Sequence, residues 1–349
     1  MVFRILVSLI LIAVAAGTSR GAEVEFIVGD YLTTEGGSWS AEDSPLLRPF
    51  GVAFNQSDQM YIVELEGGRV FQRTPEGRLS QVSGNGSQSF RGDGGPFAEA
   101  TYNGMHNCAI TNDGDLLIAD SWNHCIRRMD AETGIVSTFA GTGTAGFSGD
   151  GGLATEAAFD FIMCITLSPD GRTLHVADLR NRRIRAIDVR TRIVTTVAGN
   201  GQRGIPENGA VAVDAPLVDP RAVAADAKGN IFVLERGGHA LRRVLADGRV
   251  FTVAGTGQKG FRDGSSDQAA LDSPKHVCVD PAGRVVIADD QNAAIRLFDP
   301  EQQLVSTVLG RGFGDERIRL RNPHGVCWHD NWLYVIDSGN NRILRVRVP

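Results

Sequence analysis

The sequence predicts an all-β fold, a six-bladed β-propeller built from one repeated four-stranded unit. A glycine that ends an apolar strand recurs at steps of 55, 57, 58, 56 and 55 residues, at Gly29, Gly84, Gly141, Gly199, Gly255 and Gly310. An acidic residue ends a second strand in each copy, at Glu64, Asp120, Asp178, Glu235, Asp289 and Asp337. Repeated units of this kind bury their faces against neighbours, so six copies indicate a closed ring.

Residues 140–198 illustrate one unit. A Gly-rich linker leads into the apolar strand 162–167, and a Ser-Pro-Asp-Gly turn ends at Gly171. Three more strands are predicted around residues 174–178, 181–185 and 192–198. Short strands separated by turn residues are typical of a propeller blade.

The two ends of the chain complement each other. The last copy stops after its third strand, residues 342–346, and so lacks an outer strand. The strand at residues 24–29 matches the outer strand at 250–255 in type and belongs to no other copy. We therefore expect this N-terminal strand to complete the last blade, which pairs both edges and closes the ring over residues 23–349.

Residues 1–22 have the pattern of a signal peptide. Arg4 precedes an apolar run, residues 5–16, that is too short to span a bilayer, and small and polar residues follow. We expect cleavage between Ala16 and Glu23, an exported protein in the periplasm or outside the cell, and no membrane span in the mature chain. An N-terminal anchor that is never removed is the alternative.

The charge balance disfavours one class of partner. The formal net charge is −6, and loss of Arg4 and Arg20 with the leader makes it −8. General nucleic-acid binding relies on neutralising phosphates, so we expect no nucleic-acid partner. We expect a monomer.

The five cysteines favour buried thiols over disulfides. Four of them fall in the first strands of different blades, where small side chains suit the region near the axis, and Cys125 falls in a third strand. Cys278 and Cys327 share a register in neighbouring blades and are the one pair that could be bridged.

Several recurring polar residues are interpreted as structural. Asp-x-x-Asn pairs follow four second strands and are typical of tight turns rather than calcium sites. In the copies with Glu64 and Glu235, the Asn is replaced by Gly67 and Gly238. We expect the third-strand arginines to pair with the recurring acids between blades; they are Arg127, Arg185, Arg242 and Arg296. We expect the acids in the linkers to form turns; they are Asp93, Asp150 and Asp263. The G-x-G-x-x-G matches in the linkers lack the following helix that nucleotide binding requires.

The last copy resembles an NHL repeat. The resemblance rests on Pro323–Val326 and on Leu333–Ile343, and the other copies look like weaker versions. The linkers, as in residues 141–154, resemble those of secreted bacterial NHL proteins and of the teneurin NHL domain. The resemblance covers residues 24–349 and implies the propeller fold. It leaves function open, because NHL propellers include protein binders, RNA binders and lyases.

The residues that open each first strand are the candidate site. Linkers and second-strand turns share one face of a propeller, so these residues surround one mouth of the central channel. Aligned on the marker acid, they are Phe50, His106, Met163, Arg221, Lys275 and His324. The next positions hold Gly51, Asn107, Cys164, Ala222, His276 and Gly325. We take the first set, together with His276, as candidate ligand-binding residues.

Two enzyme hypotheses come from resemblance. Peptidyl-hydroxyglycine amidating lyases, similar six-bladed propellers, hold zinc at this mouth with three histidines from alternate blades. His106 and His324 match two of those positions and are the metal candidates, but the third holds Arg221, which cannot ligate a metal. Gluconolactonases hold calcium in the channel with Glu, Asn and Asp side chains, and here only Asn107 is in place.

A binding module is the favoured interpretation, with no cofactor expected. Arg221, Lys275, His276 and His324 lie on one side of the mouth, and a cationic sector on an acidic protein would attract an anionic small molecule or polymer, or an acidic protein. The linker into blade 6 adds four arginines, Arg311, Arg317, Arg319 and Arg321. Two acids in the same linker, Asp315 and Glu316, offset half of this charge. Scattered solvated charges are the alternative interpretation of both groups.

Overall fold

Six antiparallel sheets follow one another along the chain, as the repeat predicts. The structure, a computed structural model, describes residues 23–29 and 46–348. The predicted signal peptide lies outside the described residues. Within residues 23–29 and 46–348, no helix combines the length and apolar character needed to cross a membrane.

Each sheet is one blade, and in blades 1 to 3 the four strands are adjacent in sequence order. The chain begins with β1 (Val24–Val28). Blade 1 contains β2 (Pro49–Phe54), β3 (Met60–Glu64), β4 (Val70–Arg73) and β5 (Leu79–Ser83). Blade 2 contains β6 (Met105–Ile110), β7 (Leu116–Asp120), β8 (Cys125–Met129) and β9 (Val136–Ala140). Blade 3 contains β10 (Ile162–Leu167), β11 (Thr173–Asp178), β12 (Arg183–Asp188) and β13 (Val194–Ala198).

Blades 4 and 5 each gain a two-residue outer strand from the preceding linker. Blade 4 contains β14 (Ala210–Val211), β15 (Pro220–Ala225), β16 (Ile231–Glu235), β17 (Ala240–Val244) and β18 (Arg249–Ala254). Blade 5 contains β19 (Gly264–Ser265), β20 (His276–Val279), β21 (Val285–Asp289), β22 (Ala294–Asp299) and β23 (Leu304–Leu309). Blade 6 contains β24 (Pro323–His329), β25 (Trp332–Asp337) and β26 (Arg342–Val346). Helical structure in the described residues consists of single 3-10 turns at Phe97–Glu99, Ser121–Asn123, Ala154–Glu156, Asp290–Asn292 and Ser338–Asn340.

The N-terminal strand completes blade 6, which confirms the predicted ring closure. The sheet order is β1-β26-β25-β24, with Val24 opposite Val346 and Phe26 opposite Leu344. Arg345 and Glu25 form an ion pair of 2.6 Å across this strand pair. The last blade therefore has the same four strands as blades 1 to 3.

The hydrophobic core lies between neighbouring blades. One cluster joins Cys164 of blade 3, Phe232 of blade 4 and Val277 of blade 5, and each is at most 2% exposed. The alternating strand pattern places apolar side chains on both faces of a blade, and each face is covered by the adjacent blade. Burying one such side chain stabilises the fold by about 1.5–3 kcal/mol.

The third-strand arginines pair within their own blade, so the predicted pairing between blades is wrong. Arg127 lies 2.6 Å from Asp93 in the linker that enters blade 2 and 3.5 Å from Asp120 in the same blade. Asp93 also accepts hydrogen bonds from the backbone and side chain of Thr138 in the outer strand. Asp150 and Asp263 hold Arg185 and Arg296 in the same way, because each linker folds back over the blade that it enters.

The five cysteines are free thiols in the structure, including Cys278 and Cys327. Burial raises the pKa of Cys164 to about 11 and that of Cys327 to about 12. A thiol with a raised pKa holds little thiolate at neutral pH and is a poor nucleophile or metal ligand.

Candidate functional site

The aligned mouth residues occupy one structural position in all six blades. In five of them the mouth residue is the extra residue of a β-bulge at the start of the first strand, as Phe50 is between Pro49 and Gly51. His106, Met163, Arg221 and His324 occupy the same bulge. Lys275 directly precedes β20, and its backbone N–H donates to the carbonyl of Ala288. A bulge of this kind redirects the side chain at the rim of a sheet.

The marker acids at the ends of the second strands hold the linker segment that leads into each mouth residue. The sequence alone did not indicate this role. Each carboxylate accepts a hydrogen bond from the linker N–H three residues before the mouth residue of its own blade, as Asp120 does from Asn103 at 2.6 Å. The other five donors are the backbone N–H groups of Leu47, Asp160, Val218, Asp272 and Arg321, at 2.5–2.8 Å. A buried carboxylate so bonded holds the linker end rigidly.

His106 and His324 present the same ring nitrogen to the mouth. The Nδ1 of His106 lies 2.7 Å from the carbonyl oxygen of Gly104, and the Nδ1 of His324 lies 2.8 Å from that of Asn322. A carbonyl oxygen can only accept, so Nδ1 carries the proton in both rings. Burial is the main cause that holds both pKa values well below the usual range. Each ring is therefore neutral, with a lone pair on Nε2.

Phe50 packs between the two imidazoles. Its ring stacks on His324 with centroids 4.1 Å apart and meets His106 edge-on at 5.1 Å. Trp122 and Phe161 approach the other side of His106 at 6.4 and 6.5 Å. This aromatic packing fixes the positions of both rings.

Arg221 is the most unusual side chain of the ring. It is only 5% exposed, and its Nε and Nη1 atoms are buried with no hydrogen-bond partner in the described residues. No ion pair involving it occurs among those residues either. Burial lowers the pKa of Arg221 to about 10, so the guanidinium is charged at neutral pH. A buried, unpaired cation is costly unless a ligand compensates it.

Lys275 adds a second cation next to Arg221. Its side chain is partly buried and has no ion pair among the residues that the structure describes. Burial, followed by the charge of Arg221, lowers the pKa of Lys275 to about 8. Met163 completes the ring as a buried apolar residue, 6% exposed.

Asp290 is a mouth residue that the sequence reasoning missed. It is 2% exposed, its Oδ1 has no hydrogen-bond partner in the described residues, and that oxygen lies 3.5 Å from Nδ1 of His324. Its charge acts on both Arg221 and Lys275. Asp219 acts on the same two cations but pairs with Arg236 at 3.0 Å, which leaves Asp290 as the carboxylate that offsets them. Its position directly after the marker acid Asp289, where other blades hold uncharged residues or Arg236, was the available signal.

His276 lies below the ring and reaches across the channel. Asn107 of the opposite blade donates from Nδ2 to Nε2 of His276 at 3.0 Å. The Oδ1 of Asn107 accepts from the backbone N–H of Ile165, which fixes the orientation of the amide. Burial and the charge of Arg221 lower the pKa of His276 to about 4. The side chain is thus engaged beneath the mouth, one residue out of register with the six mouth residues.

Asn107 and His276 also line a cavity of about 360 Å³ that extends toward the opposite face. A second cavity of about 470 Å³ lies at that face between the turns of blades 4 and 5, beside Trp328. The hydrogen bond between Asn107 and His276 thus lies between the mouth and the rest of the channel.

Three of the four arginines in the linker into blade 6 make local contacts. Arg317 pairs with Asp315 at 2.6 Å, and Arg319 donates to backbone carbonyls of its own linker. Arg311 lies over the ring of Phe261 at 4.4 Å. The arginine that is buried without a partner among the described residues is therefore found at the mouth, whereas the arginines of this linker are exposed.

The donor set at the mouth is one protein ligand short of a catalytic zinc site. The two Nε2 atoms are suitable ligands, but a guanidinium occupies the third alternate-blade position, and zinc enzymes use three protein ligands. No group of three or more His, Cys, Asp or Glu side chains with metal-binding geometry occurs among residues 23–29 and 46–348.

Comparisons with known proteins match the repeat to named relatives, although no family model matches the chain. Human NHL repeat-containing protein 2 is 28% identical over 345 residues, which covers 87% of this chain. Protein SUPPRESSOR OF QUENCHING 1 of Arabidopsis thaliana is 27% identical over 284 residues, or 77% of this chain. Human teneurin-1 is 25% identical over 246 residues, or 62% of this chain. The chain spans 47%, 26% and 9% of these relatives, respectively.

Solved structures agree on the fold and differ in role. An auxiliary nutrient binding protein from Bacteroides ovatus superposes with a TM-score of 0.67 at 13% identity, covering 93% of this chain and 76% of that one. A streptogramin B lyase superposes with a TM-score of 0.57 at 12% identity, covering 94% and 98%. The repeat motif, the six-bladed ring and the three sequence matches together support the assignment of this chain to the NHL-repeat family.

Proposed function

We propose that this protein is an exported binding module that takes an anionic ligand at the channel mouth. Arg221 and Lys275 would hold the anionic group, and Phe50, His106, Met163 and His324 would form the rest of the ring. The ligand is a small molecule, a charged polymer or an acidic segment of a protein partner, and its anionic group is the common feature.

The observation that carries this proposal is the buried Arg221 guanidinium with unpartnered Nε and Nη1. Arginine presents planar N–H donors that match carboxylate and phosphate groups. The recurring buried arginines of the third strands, such as Arg127, Arg185 and Arg296, form ion pairs with carboxylates. Arg221 differs from them because its partner is missing within the described residues. Asp290 offsets one of the two mouth cations and leaves a net positive charge.

The location proposal rests on the sequence of residues 1–22. A charged start, a short apolar run and small residues support export and cleavage. Expression of the full chain in a bacterial host, followed by intact-mass analysis of the periplasmic fraction, tests it. A mature chain starting between residues 17 and 23 is expected, and a full-length chain retained in the cell would contradict it.

A second candidate is a metal-dependent enzyme, favoured by one feature. The Nδ1 hydrogen bonds of His106 and His324 leave both Nε2 atoms free, as in metal-ligating histidines whose second nitrogen is held by a carbonyl group. Elemental analysis of the purified protein and of the His106→Ala/His324→Ala double variant separates the candidates. Stoichiometric zinc lost in the double variant would favour the enzyme.

Titration calorimetry with citrate and with inorganic phosphate tests the anion proposal. We expect saturable binding by the wild type and a loss of at least tenfold in affinity in Arg221→Met and in Lys275→Met. The matched control is Arg172→Met, whose side chain is 85% exposed and lies away from the mouth. Equal affinity in all four proteins would refute the mouth as the anion site.

A further inference from the structure

We infer that the ligand of this mouth is a hydroxylated anion, such as a sugar acid or a sugar phosphate, whose hydroxyl groups donate to His106 and His324. This inference rests on the proposed anion site and adds the chemical class of the ligand. This inference is drawn from the hydrogen-bond acceptors at the mouth, whereas the proposed function is drawn from the positively charged donors there.

The two acceptors are the Nε2 atoms of His106 and His324. In both imidazoles the Nδ1–H donates a hydrogen bond to the backbone carbonyl two residues earlier. Because the neutral ring carries one N–H, Nε2 has no proton and can only accept. Neither Nε2 has a hydrogen-bond partner among the described residues, and neither is sealed from solvent as Nε and Nη1 of Arg221 are. Two acceptors are therefore open to a donor group in the mouth.

Donors and acceptors occupy different sides of the ring. Arg221 and Lys275 project from blades 4 and 5, and the imidazoles project from blades 2 and 6 on either side of Phe50. The two sides border the same mouth, because His106, Arg221 and His324 occupy the same bulge of their blades and Lys275 directly precedes the first strand of blade 5. A small ligand whose anionic group lies at the cations therefore places its remaining atoms beside the imidazoles.

The two cations at the mouth also help to keep Nε2 of each imidazole unprotonated and able to accept a hydrogen bond. Burial and the adjacent cations both disfavour a proton on Nε2. Hydroxyl groups are neutral donors and complement such a pair without adding positive charge beside Arg221. An aliphatic anion of the same length would leave both acceptors desolvated and unpaired, which weakens binding.

Phe50 is a positioning residue in this arrangement. It contacts both imidazoles and contributes no polar atom. Beneath it, the hydrogen bond between Asn107 and His276 crosses the channel. The hydroxylated part of the ligand would thus lie above this bond and within the ring.

Matched probe pairs test the inference by titration calorimetry. Gluconate is compared with hexanoate, and glucose 6-phosphate with butyl phosphate, so that each pair shares its anionic group and only one member carries hydroxyls. We expect at least tenfold tighter binding of a hydroxylated member, about 1.4 kcal/mol. The pair with the larger preference identifies the anionic group as carboxylate or phosphate.

The variants His106→Phe and His324→Phe keep an aromatic ring but remove the acceptor. They should reduce the preference within a pair to less than threefold while the affinity for hexanoate or butyl phosphate is retained. The control is His329→Phe, because His329 also stacks on a phenylalanine, Phe54, at 4.0 Å, but at the opposite end of the channel. Circular dichroism verifies that each variant is folded.

Each outcome decides between the two proposals. Equal binding within both pairs overturns the hydroxyl inference and leaves the anion site standing. Glucose binding as tightly as gluconate and glucose 6-phosphate overturns the anion site itself, and so does the absence of binding by all charged probes. A preference that persists unchanged in both mouth histidine variants overturns the assignment of the acceptors.

Discussion

Arg221 illustrates how one residue can depart from a rule that the rest of the molecule follows. The arginines of the third strands are buried and paired with carboxylates, as Arg242 is with Glu235. Arg221 is almost as removed from solvent but is placed by a β-bulge at the channel mouth, where neither Asp219 nor Asp290 forms an ion pair with it. A residue retained at such a cost is a candidate for function rather than stability.

Removing this charge should stabilise the ligand-free protein. Arg221→Met keeps the volume of the side chain and eliminates a desolvated cation, so we expect the free energy of unfolding to rise by about 1–2 kcal/mol. Urea denaturation at pH 7 measures the change. Arg185→Met is the contrasting variant, since it leaves Asp178 buried without its cation and should destabilise the protein by about 3 kcal/mol or more. Destabilisation by Arg221→Met would indicate that the guanidinium is satisfied.

Anion affinity should fall as the pH rises through about 8. The pKa of Lys275 is lowered to about 8, mainly by burial, whereas that of Arg221 is about 10, so Lys275 loses its charge first. The groups whose charge couples to Lys275 are Arg221, Arg236, Asp219, Asp290, His106 and His324. The two imidazoles are already neutral at pH 6.5 because their pKa values are lowered.

Calorimetric titration with gluconate from pH 6.5 to 9.5 tests this dependence. Gluconate stays fully ionised in that range, so the protein alone titrates. The wild type should lose several-fold in affinity between pH 7 and pH 9, and Lys275→Met should show a flat profile. A pH-dependent profile that survives in Lys275→Met would assign the titration to another group.

At the scale of one element, the turn after the second strand has two interchangeable designs. In four blades an Asp is held by an Asn three residues later, as Asp120 is by Asn123 at 2.8 Å. In blades 1 and 4 the acid is a longer Glu followed by a glycine. A Cβ atom at Gly67 would lie 1.8 Å from Oε2 of Glu64, so the glycine provides the space that the longer carboxylate requires. The two substitutions occur together for a steric reason.

A double-mutant cycle at blade 1 should reveal this coupling. Gly67→Asn displaces the Glu64 carboxylate, which accepts from the Leu47 N–H and pairs with Arg69, and should destabilise the protein by about 2–4 kcal/mol. Glu64→Asp combined with Gly67→Asn restores the Asp-x-x-Asn design and should recover about 1–3 kcal/mol.

Urea denaturation of the two single variants and the double variant gives the coupling energy. Gly248→Asn is the control, because Gly248 adopts φ +82°, which Asn tolerates, and its Cβ would meet no atom within 4 Å. Additive effects at positions 64 and 67 would contradict the steric explanation.

At the scale of the whole molecule, stability depends on closing the ring with strands from both ends of the chain. Among the described strands, β1 pairs with β26 alone. Its Phe26 packs in the core between blades 5 and 6, where it also lies under Arg342 at 5.4 Å. Without β1 the edge of β26 would be exposed to other chains.

A chain starting at residue 30 should be markedly less stable than one starting at residue 23. Loss of the partly buried side chains of β1 and of the Glu25 and Arg345 ion pair should cost on the order of 4 kcal/mol. The exposed edge should also promote association. Thermal denaturation and size-exclusion chromatography compare the two chains, and equal melting temperatures would contradict the role of β1 in closure.

The sequence by itself determined the features that repeat. The spacings that each copy repeats predict the number of blades, the strand order, the closing strand and the equivalence of the six mouth positions. They can be read from local periodicity in the sequence. The NHL motif in the last copy likewise indicated the family. The prediction of arginine pairing between blades was wrong because spacing does not indicate which way a linker folds.

Only the tertiary structure decided the chemistry of the mouth. The unpartnered Arg221, the Nδ1 protons of His106 and His324, and the presence of Asp290 depend on which groups from different blades meet. Asn107 and His276, which join across the channel, are 169 residues apart. Neighbouring residues of the ring come from separate copies, so their burial and hydrogen bonds are set by ring closure, which no single repeat specifies.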